Sequence, residues 1–321
     1  MDMDTRRFLL HVLLGTAATL AIFLTSLQLP FLGVGMIILT PLPVMTLCHR
    51  WGLWGGALTV VIGSLVISMV ASPVIGIVFC SEFGLMGIFL HHYMVRRRLP
   101  WDRGILLSSL IVLGMVAILV IVLKTATSST VVEWSKGEIN EAGSSLFQLY
   151  STENTENQAV WIDYKKLTTF VLRILPALMI LSIWLEGLVN AFLFARITNR
   201  IAQSNDRFVM RPELSAWICP DWLIWAGILG GFLIVTKISF LVTIGLNTVI
   251  LLLAIYFLQG IAIISFFFKK RNVPLGFRVM GYALIGIIQL LLLAVAALGV
   301  FDIWIDFRKL RPKLAAPKKS A

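Results

Sequence analysis

Charged residues are scarce in this chain, and their scarcity excludes an ordinary soluble fold. Only 13% of the 321 residues are Asp, Glu, Lys or Arg, whereas soluble domains carry about 25%. Hydrophobic residues make up 59% of the sequence. Apolar runs of about 20 residues, long enough to cross the hydrocarbon core of a bilayer, recur along most of the chain. We therefore expect a polytopic membrane protein with the lipid bilayer as its main partner.

Cysteine and histidine are also rare, which removes several kinds of chemical site. Cys48, Cys80 and Cys219 show no Cys-x-x-Cys spacing, so neither a disulfide framework nor a metal site is expected. The four histidines form no His-Glu-x-x-His zinc helix, and the sequence has neither a Gly-x-Ser-x-Gly elbow nor a Walker-type phosphate loop. No cofactor is expected, and we interpret the chain as a protein other than an enzyme.

Nine apolar segments are candidate membrane spans, and they predict helices. Lipid offers the backbone no hydrogen-bond partners, and the segments lack the alternation of a barrel strand. The expected fold is an all-α transmembrane bundle. The segments are Phe8–Leu27, Phe31–Cys48, Gly52–Ala71, Val74–Tyr93, Ile105–Leu123, Leu167–Phe194, Trp222–Phe240, Thr243–Phe268 and Phe277–Val300.

Basic residues in the short connections predict which side of the membrane each connection occupies. Lys and Arg near span ends are retained in the cytoplasm. An even number of spans separates the basic turns at Arg50, Arg97, Arg200 and Lys270, so the amino terminus is expected in the cytoplasm of a bacterial inner membrane. Nine crossings would place a basic tail outside. Either the segment from Phe277 dips and returns or the tail is an exception, which leaves eight or nine spans.

The charge distribution also bears on partners and on domain organisation. The net charge of +11 sits at span ends on one side, which favours contact with anionic lipid head groups, and no nucleic acid is expected. Residues 1–123 are expected to form an N-terminal bundle of about five spans, and 167–300 a C-terminal bundle of three or four, followed by a basic tail, 301–321. Residues 124–166 have the pattern of short amphipathic helices on the outer surface, either as a lid or docking element or as an interfacial anchor.

Three polar residues within the apolar segments are candidate substrate-binding groups. A charge at the bilayer centre costs at least about 2.5 to 3.5 kcal/mol, so such a residue tends to face the bundle interior. Glu82 lies in the fourth segment, and Glu186 lies in the sixth with Asn190 one helical turn later. They could bind a cationic or hydroxylated ligand or carry a proton. Alternatively they are structural groups, with Arg173 as one candidate partner of Glu186.

Helix breakers accompany these residues. Pro41 and Pro43 interrupt the second segment, and Pro176 lies inside the sixth. Broken helices at membrane depth are tolerated where they line a cavity or are enclosed by protein. The leading hypothesis is therefore a transporter, or its membrane-embedded binding subunit, for a small solute. The alternative is a structural or scaffold protein of the cell envelope, and an internal polar cavity would distinguish the two.

The order of these features resembles the YybS-like family of uncharacterised bacterial membrane proteins. The resemblance lies in the Pro-x-Pro break before Arg50-Trp51-Gly52, the basic turn Arg96-Arg97-Arg98, Leu175-Pro176 followed by Asn190, and the stretch from Gly299 through Asp302 to Arg308.

That family in turn is distantly similar to the substrate-binding subunits of energy-coupling factor transporters. This resemblance implies a six-helix core that associates with an energising ATPase and a second membrane subunit. It also implies that Ala17 and Ala21, which match an Ala-x-x-x-Ala face, contact the partner. The segments after Phe194 depart from a six-helix core.

Overall fold

The computed structural model of the protein describes residues 3–127, 137, 158–201 and 213–310. Regular secondary structure in these ranges is helical, which confirms the expected all-α fold. The chain divides into two compact units. Unit 1 consists of Met1–Tyr164 with Met179–Pro212, and unit 2 consists of Lys165–Leu178 with Glu213–Ala321.

Eleven α-helices and three short turns of other helix types are found in the described ranges. Two five-residue π turns, Cys80–Gly84 and His92–Arg96, follow the fourth and fifth helices, and a 3-10 turn, Leu214–Ala216, precedes the eighth. The helices are α1 (Met3–Gln28), α2 (Pro30–Ile37), α3 (Pro41–Val70), α4 (Pro73–Phe79), α5 (Leu85–His91), α6 (Trp101–Thr127), α7 (Gln158–Ile201), α8 (Leu223–Val235), α9 (Ser239–Lys270), α10 (Leu275–Ile287) and α11 (Gln289–Ile305).

Several helical stretches are long and apolar enough to cross a bilayer, which makes this a multi-pass membrane protein. A further span arises if α10 and α11, which meet at an angle of 104°, form one broken segment. The expected span Trp222–Phe240 contains a helix of only 13 residues, α8. Within the described residues the six long stretches are Asp4–Gln28, Gly35–Val70, Pro73–Arg96, Trp101–Val122, Lys166–Asn199 and Ser239–Lys270.

Gly52 reverses the chain within the stretch Gly35–Val70. Its φ of 72° and ψ of −171° are incompatible with a helix. A continuous helix would separate Val44 from Gly56 by about 18 Å. Instead, a Cβ placed on Gly56 would lie 3.4 Å from the Val44 carbonyl oxygen. Val44, Cys48 and Val60 also share one buried cluster. The two arms of α3 are therefore antiparallel, and they meet where the expected second and third segments join.

The stretch Pro73–Arg96 is a helix that contains two π turns. Ser72 begins it by accepting a hydrogen bond from the Ile75 backbone N–H at 3.2 Å, and Pro73 occupies the first turn, where its missing N–H is harmless. Each π turn inserts one extra residue and rotates the side chains beyond it. The glycine at Gly87 then lets α5 approach α3, since a Cβ there would lie 2.9 Å from the Pro41 carbonyl oxygen.

In unit 2, α9 and α11 cross at two glycines. A Cβ on Gly299 would collide with the Tyr256 carbonyl oxygen, and one on Gly260 would collide with the Val295 carbonyl oxygen. Because glycine has no side chain, glycines at a crossing allow two helix backbones to come into direct contact. Ile288, with extended backbone angles, separates α10 from α11 and produces the sharp bend.

The expected outer segment, 124–166, stays a prediction because most of it lies outside the described ranges. Helix α6 continues to Thr127 and α7 begins at Gln158, so both ends of the segment continue long helices. Residues 128–136 and 138–157 lie outside the described ranges, as does most of the expected tail, 311–321.

Candidate functional site

The two interior carboxylates predicted from the sequence come together inside unit 1. Glu82 lies on the π turn Cys80–Gly84, where the extra residue of the wider turn sets the direction of its side chain. Glu186 lies on α7 and is only 3% exposed. The helix that follows Glu82 packs on this part of α7, since Met86 and Ile183 share a buried cluster, and Glu82 acts electrostatically on Glu186. Paired acidic side chains at this depth are expensive to bury and commonly mark an ion or substrate pathway.

Asn190 joins Glu186 to the break between α2 and α3. Its side-chain Nδ2 donates to the Ile38 carbonyl oxygen at 2.6 Å and to the Glu186 backbone carbonyl oxygen at 2.7 Å. The first of these bonds holds the tight turn Ile38 to Thr40, whose backbone bonds run to the third preceding residue, against α7. Asn190 Oδ1 and Glu186 Oε1 are buried without a hydrogen-bond partner. Because buried polar atoms are nearly always paired, two such acceptors on one helix face indicate a site completed by something else.

Two hydroxyl groups flank this pair of acceptors. Thr40 is fully buried two residues after Ile38, the residue that accepts from Asn190. Ser109 is fully buried on α6, and its neighbours on the same helix face are Ile105 and Val112. The oxygen atoms of both hydroxyl groups lack a partner.

Contacts of α6 show that Ser109 lies beside α7. Ile105 lies 3.0 Å from the position of a Cβ on Gly187, and Val112 belongs to one buried cluster with Ile183. Ser109, between them, therefore faces the stretch of α7 that carries Glu186. The site thus combines two carboxyl groups, an amide oxygen and hydroxyl oxygens.

Neither carboxylate is neutralised by a basic side chain among the described residues. The ion pair between Arg308 and Asp302 belongs to unit 2. Arg173, considered above as a partner of Glu186, instead donates to Ser239 Oγ at 3.3 Å within unit 2. No cluster of three potential metal ligands occurs in the described ranges. An oxygen-rich site with uncompensated carboxyl groups can accept a proton, a small cation or a ligand that carries amino or hydroxyl groups.

Ala17 and Ala21 lie on the exposed side of α1. The opposite side of this helix is buried against unit 1 and carries Thr16, Thr19 and Phe23. A face of small residues exposed on a membrane helix allows close approach of another helix. A contact of Ala17 and Ala21 with a partner stays a prediction.

Unit 2 contains a buried polar network that sequence analysis did not identify as a unit. The Asp302 carboxylate accepts from Arg308 Nη2 at 3.1 Å, from Gln259 Nε2 at 2.7 Å and from the Phe307 backbone N–H at 2.9 Å. Arg308 also donates to the backbone carbonyl oxygens of Ser215 and Trp217, at 3.0 and 2.8 Å.

This network links the chain before α8 to Gln259 of α9 and to the end of α11. Both charged groups are paired with each other and bond further groups of the protein, although Arg308 Nε is buried without a partner, and we interpret the network as structural. The only signal in the sequence was an Asp within an apolar run, followed six residues later by an Arg.

The helices and the buried polar positions define an all-helical, multi-pass integral membrane protein. The family described as "Predicted membrane protein (DUF2232)" matches residues 17–303, and the chain belongs to this family. Comparisons with curated proteins and with solved structures gave no match. The resemblance to the YybS-like family and to energy-coupling factor subunits stays a prediction.

Proposed function

We propose that this protein is a transporter, or the membrane-embedded substrate-binding subunit of one, for a small solute. The observation that carries the proposal is the pair Glu82 and Glu186, two carboxyl groups brought together inside unit 1 without a basic partner among the described residues. A protein with a purely structural role gains nothing from a buried Glu186 next to a half-buried Glu82 that acts on it electrostatically, because repulsion and desolvation both oppose folding.

The surroundings of the pair support binding. Asn190 bonds the tight turn Ile38–Thr40, where α2 ends before Pro41 and the Ile38 carbonyl oxygen accepts a side-chain bond from α7. Proline-associated changes in a membrane helix are tolerated where they are enclosed by protein or line a cavity. The π turn that carries Glu82 is a helix irregularity of the kind that occurs at functional sites. Unpaired oxygens on Asn190, Glu186 and Thr40 supply acceptors for a donor-rich ligand.

An energising partner is part of the proposal. The sequence has no Walker-type phosphate loop, so nucleotide-driven transport requires a separate ATPase and, by resemblance, a second membrane subunit. The exposed small-residue face at Ala17 and Ala21 on α1 is the surface that we assign to that contact. The proposed location is the bacterial inner membrane, with the amino terminus in the cytoplasm.

The topology that we propose counts the two arms of α3 as separate crossings. Each arm, Gly35–Trp51 and Leu53–Val70, is about as long as the shortest transmembrane helices. With the antiparallel arms counted separately, the long stretches supply seven crossings. Helix α8 and the broken pair α10 and α11 then account for the eight or nine spans expected from the sequence.

Substitution of the acids tests the binding role. Glu82→Gln and Glu186→Gln keep the side-chain shape and remove the ionisable group. We expect both variants to accumulate and to melt in detergent near the wild-type temperature, while the small molecule that copurifies with the wild type is lost from its mass spectrum. The matched control is Glu213→Gln, which alters an exposed acid in unit 2 and should leave that signal unchanged.

The opposite pattern would overturn the proposal. If the acids are structural, the two variants should melt at a lower temperature and retain the same amount of copurified molecule per folded protein. The same preparation tests the partner, because an ATPase and a second membrane subunit should copurify with the wild type and be lost when Ala17 and Ala21 are both replaced by Leu.

A further inference from the structure

A second group of polar side chains lies at the basic end of unit 1, away from the carboxylates. His91 ends α5, nine residues after Glu82, and Phe194 follows Glu186 by eight residues on α7. At 1.5 Å per residue these intervals place the group about 12 Å from the acids along both helices. It is therefore a separate site, and nothing in the proposed function depends on it.

Three aromatic rings form the centre of this group. The centroids of His49 and His91 are 6.0 Å apart, His91 and Phe194 are 6.1 Å apart, and His49 and Phe194 are 5.6 Å apart, with steeply inclined planes in every pair. The turn at Gly52 positions His49, because the reversal of α3 brings the end of its first arm beside α5. Phe194 belongs to a buried apolar cluster, whereas His49 is exposed, so the group extends from the core to the surface of unit 1.

His91 has a ring nitrogen that the protein itself does not satisfy. The residue is 8% exposed, and its Nε2 is buried without a hydrogen-bond partner. A buried imidazole nitrogen normally has a partner, and its desolvation without one costs about 1 to 3 kcal/mol. The missing partner is therefore a group that the protein fold does not supply.

The charges around His91 indicate the sign of that group. The basic side chains around it are His49, whose ring centroid is 6.0 Å from that of His91, the neighbouring His92 and, at the end of the following π turn, Arg96. Arg96 and His49 are exposed, so a ligand can reach the edge of the group from outside the helix bundle. A guanidinium group only donates hydrogen bonds and a neutral imidazole donates from one ring nitrogen, whereas a phosphate group offers three or four acceptor oxygens to match them.

The position of this group of side chains relative to the bilayer is consistent with a phosphate ligand. The group lies at the end of the stretch Pro73–Arg96, beside the turn at Gly52. Trp51 in that turn contacts the rings of Phe8 and His11, at centroid distances of 5.3 and 5.7 Å. Aromatic residues of this kind gather at the head-group level of a bilayer, where the phosphates of anionic lipids are located.

We propose that His49, His91 and Arg96 form a binding site for a phosphate group. The Arg96 guanidinium and the His49 imidazole bind the phosphate at the surface of the bundle. His91 Nε2 donates a hydrogen bond to one of the phosphate oxygens from the interior side. Rotation of the exposed His49 side chain, which takes place in picoseconds to nanoseconds, gives the phosphate access to His91. The phosphate belongs either to a lipid head group or to a free phosphorylated ion in the cytoplasm.

The test uses the full-length, delipidated protein in detergent. One arm measures retention of phosphatidylglycerol by native mass spectrometry, with zwitterionic phosphatidylcholine, which has no net charge, as the comparison. The second arm titrates inorganic phosphate and follows the broadening of its phosphorus NMR line. Both arms use an ionic strength of about 0.5 M, from ammonium acetate in the first and NaCl in the second, where a screening length of about 4 Å suppresses general attraction to surface charge.

Matched arginine variants make the test specific to the site. Arg96→Gln and His91→Leu should each weaken binding about tenfold, since each removes a charge-assisted or buried hydrogen bond. Arg97→Gln removes the same charge from the next residue along the chain and should change binding by less than about twofold in high salt. Arg96→Lys keeps the charge and should recover part of the affinity. Because Arg96 is exposed, its substitution reports on binding even if His91→Leu impairs folding.

Each outcome either supports the phosphate site or overturns it. Preferential retention of phosphatidylglycerol that depends on Arg96 identifies the ligand as a lipid head group. Line broadening of inorganic phosphate that depends on Arg96, without lipid preference, identifies a free phosphorylated ion. Equal losses in Arg96→Gln and Arg97→Gln, or no binding in either arm, would overturn the proposal.

Discussion

At the scale of single residues, Gly52 shows how one backbone conformation determines the path of the chain. Its φ of 72° with a ψ of −171° falls in a region that side-chain-bearing residues almost never occupy. The clash arises within the residue itself, because a Cβ there would meet no other atom within 4 Å. A residue with the same lack of neighbours but an ordinary helical conformation is Gly35 in α2.

These two glycines give a matched pair of substitutions. Gly52→Ala should lower the free energy of unfolding in detergent by about 1 to 3 kcal/mol, since the strain of the turn has no compensation. Gly35→Ala should be neutral or stabilising by up to about 1 kcal/mol, because alanine favours a helix. The measurement is the midpoint of thermal unfolding for each variant. A Gly52→Ala variant as stable as Gly35→Ala would show that the chain does not reverse at this residue.

Residue-level reasoning from the sequence found the acids but could not find their partners. Glu82 and Glu186 stand out because each interrupts a long apolar run, and that signal needs no structure. The acceptor of Asn190 is the backbone oxygen of Ile38, 152 positions away. A backbone carbonyl has no sequence signature, and Ser109 resembles any other small polar residue in a membrane helix. Only the packing of α6 on α7 shows that it belongs to the site.

At the scale of helices, Asn247 of α9 compensates for the proline inside α7. The Ala177 backbone N–H donates to Asn247 Oδ1 at 2.7 Å, and Asn247 Nδ2 donates to the Arg173 carbonyl oxygen at 2.7 Å. An unbroken helix would join these two backbone groups directly. Pro176 opens the helix between them, because its ring displaces the preceding turn.

A double-mutant cycle measures this compensation. Asn247→Leu leaves a donor and an acceptor of the opened turn without partners and should lower the free energy of unfolding by about 1 to 3 kcal/mol. Pro176→Ala allows the Ala177 N–H to bond Arg173 directly, so it should restore most of the loss when combined with Asn247→Leu. Thermal unfolding of the four proteins in one detergent gives the coupling energy. Additive effects within about 0.5 kcal/mol would contradict the assignment.

Helix type and helix ends were less predictable than helix existence. The apolar runs predicted nearly every helix, because backbone groups in lipid must be bonded internally and a helix is the simplest way to do so. The π turn that carries Glu82 was not predictable, since its sequence, Cys80 to Gly84, has the composition of an ordinary helix. The bend at Ile288 was missed for the same reason: an isoleucine between apolar residues signals no break, and neighbouring helices determine the angle.

At the scale of the whole molecule, the reversal at Gly52 decides the orientation of everything that follows it. With the amino terminus in the cytoplasm, as proposed, a single crossing by Gly35–Val70 would make all later connections exchange sides and would place the basic turn at Arg96 to Arg98 outside. The antiparallel arms of α3 keep the basic turns on one side, in agreement with the retention of Lys and Arg in the cytoplasm. Geometry within one helix and charge along the whole chain thus give the same topology.

Cysteine labelling distinguishes the two topologies with two positions. Arg50→Cys and Ala71→Cys are introduced singly, and a membrane-impermeant maleimide is applied to intact cells and to permeabilised cells. With a reversal at Gly52 and the amino terminus in the cytoplasm, Ala71→Cys should react in intact cells, whereas Arg50→Cys should react only after permeabilisation. With a single crossing, Arg50→Cys would lie within the bilayer and react in neither, and Ala71→Cys would require permeabilisation. That second pattern would refute both the reversal and the proposed count of eight or nine spans. The background protein lacks the natural cysteines, Cys48, Cys80 and Cys219.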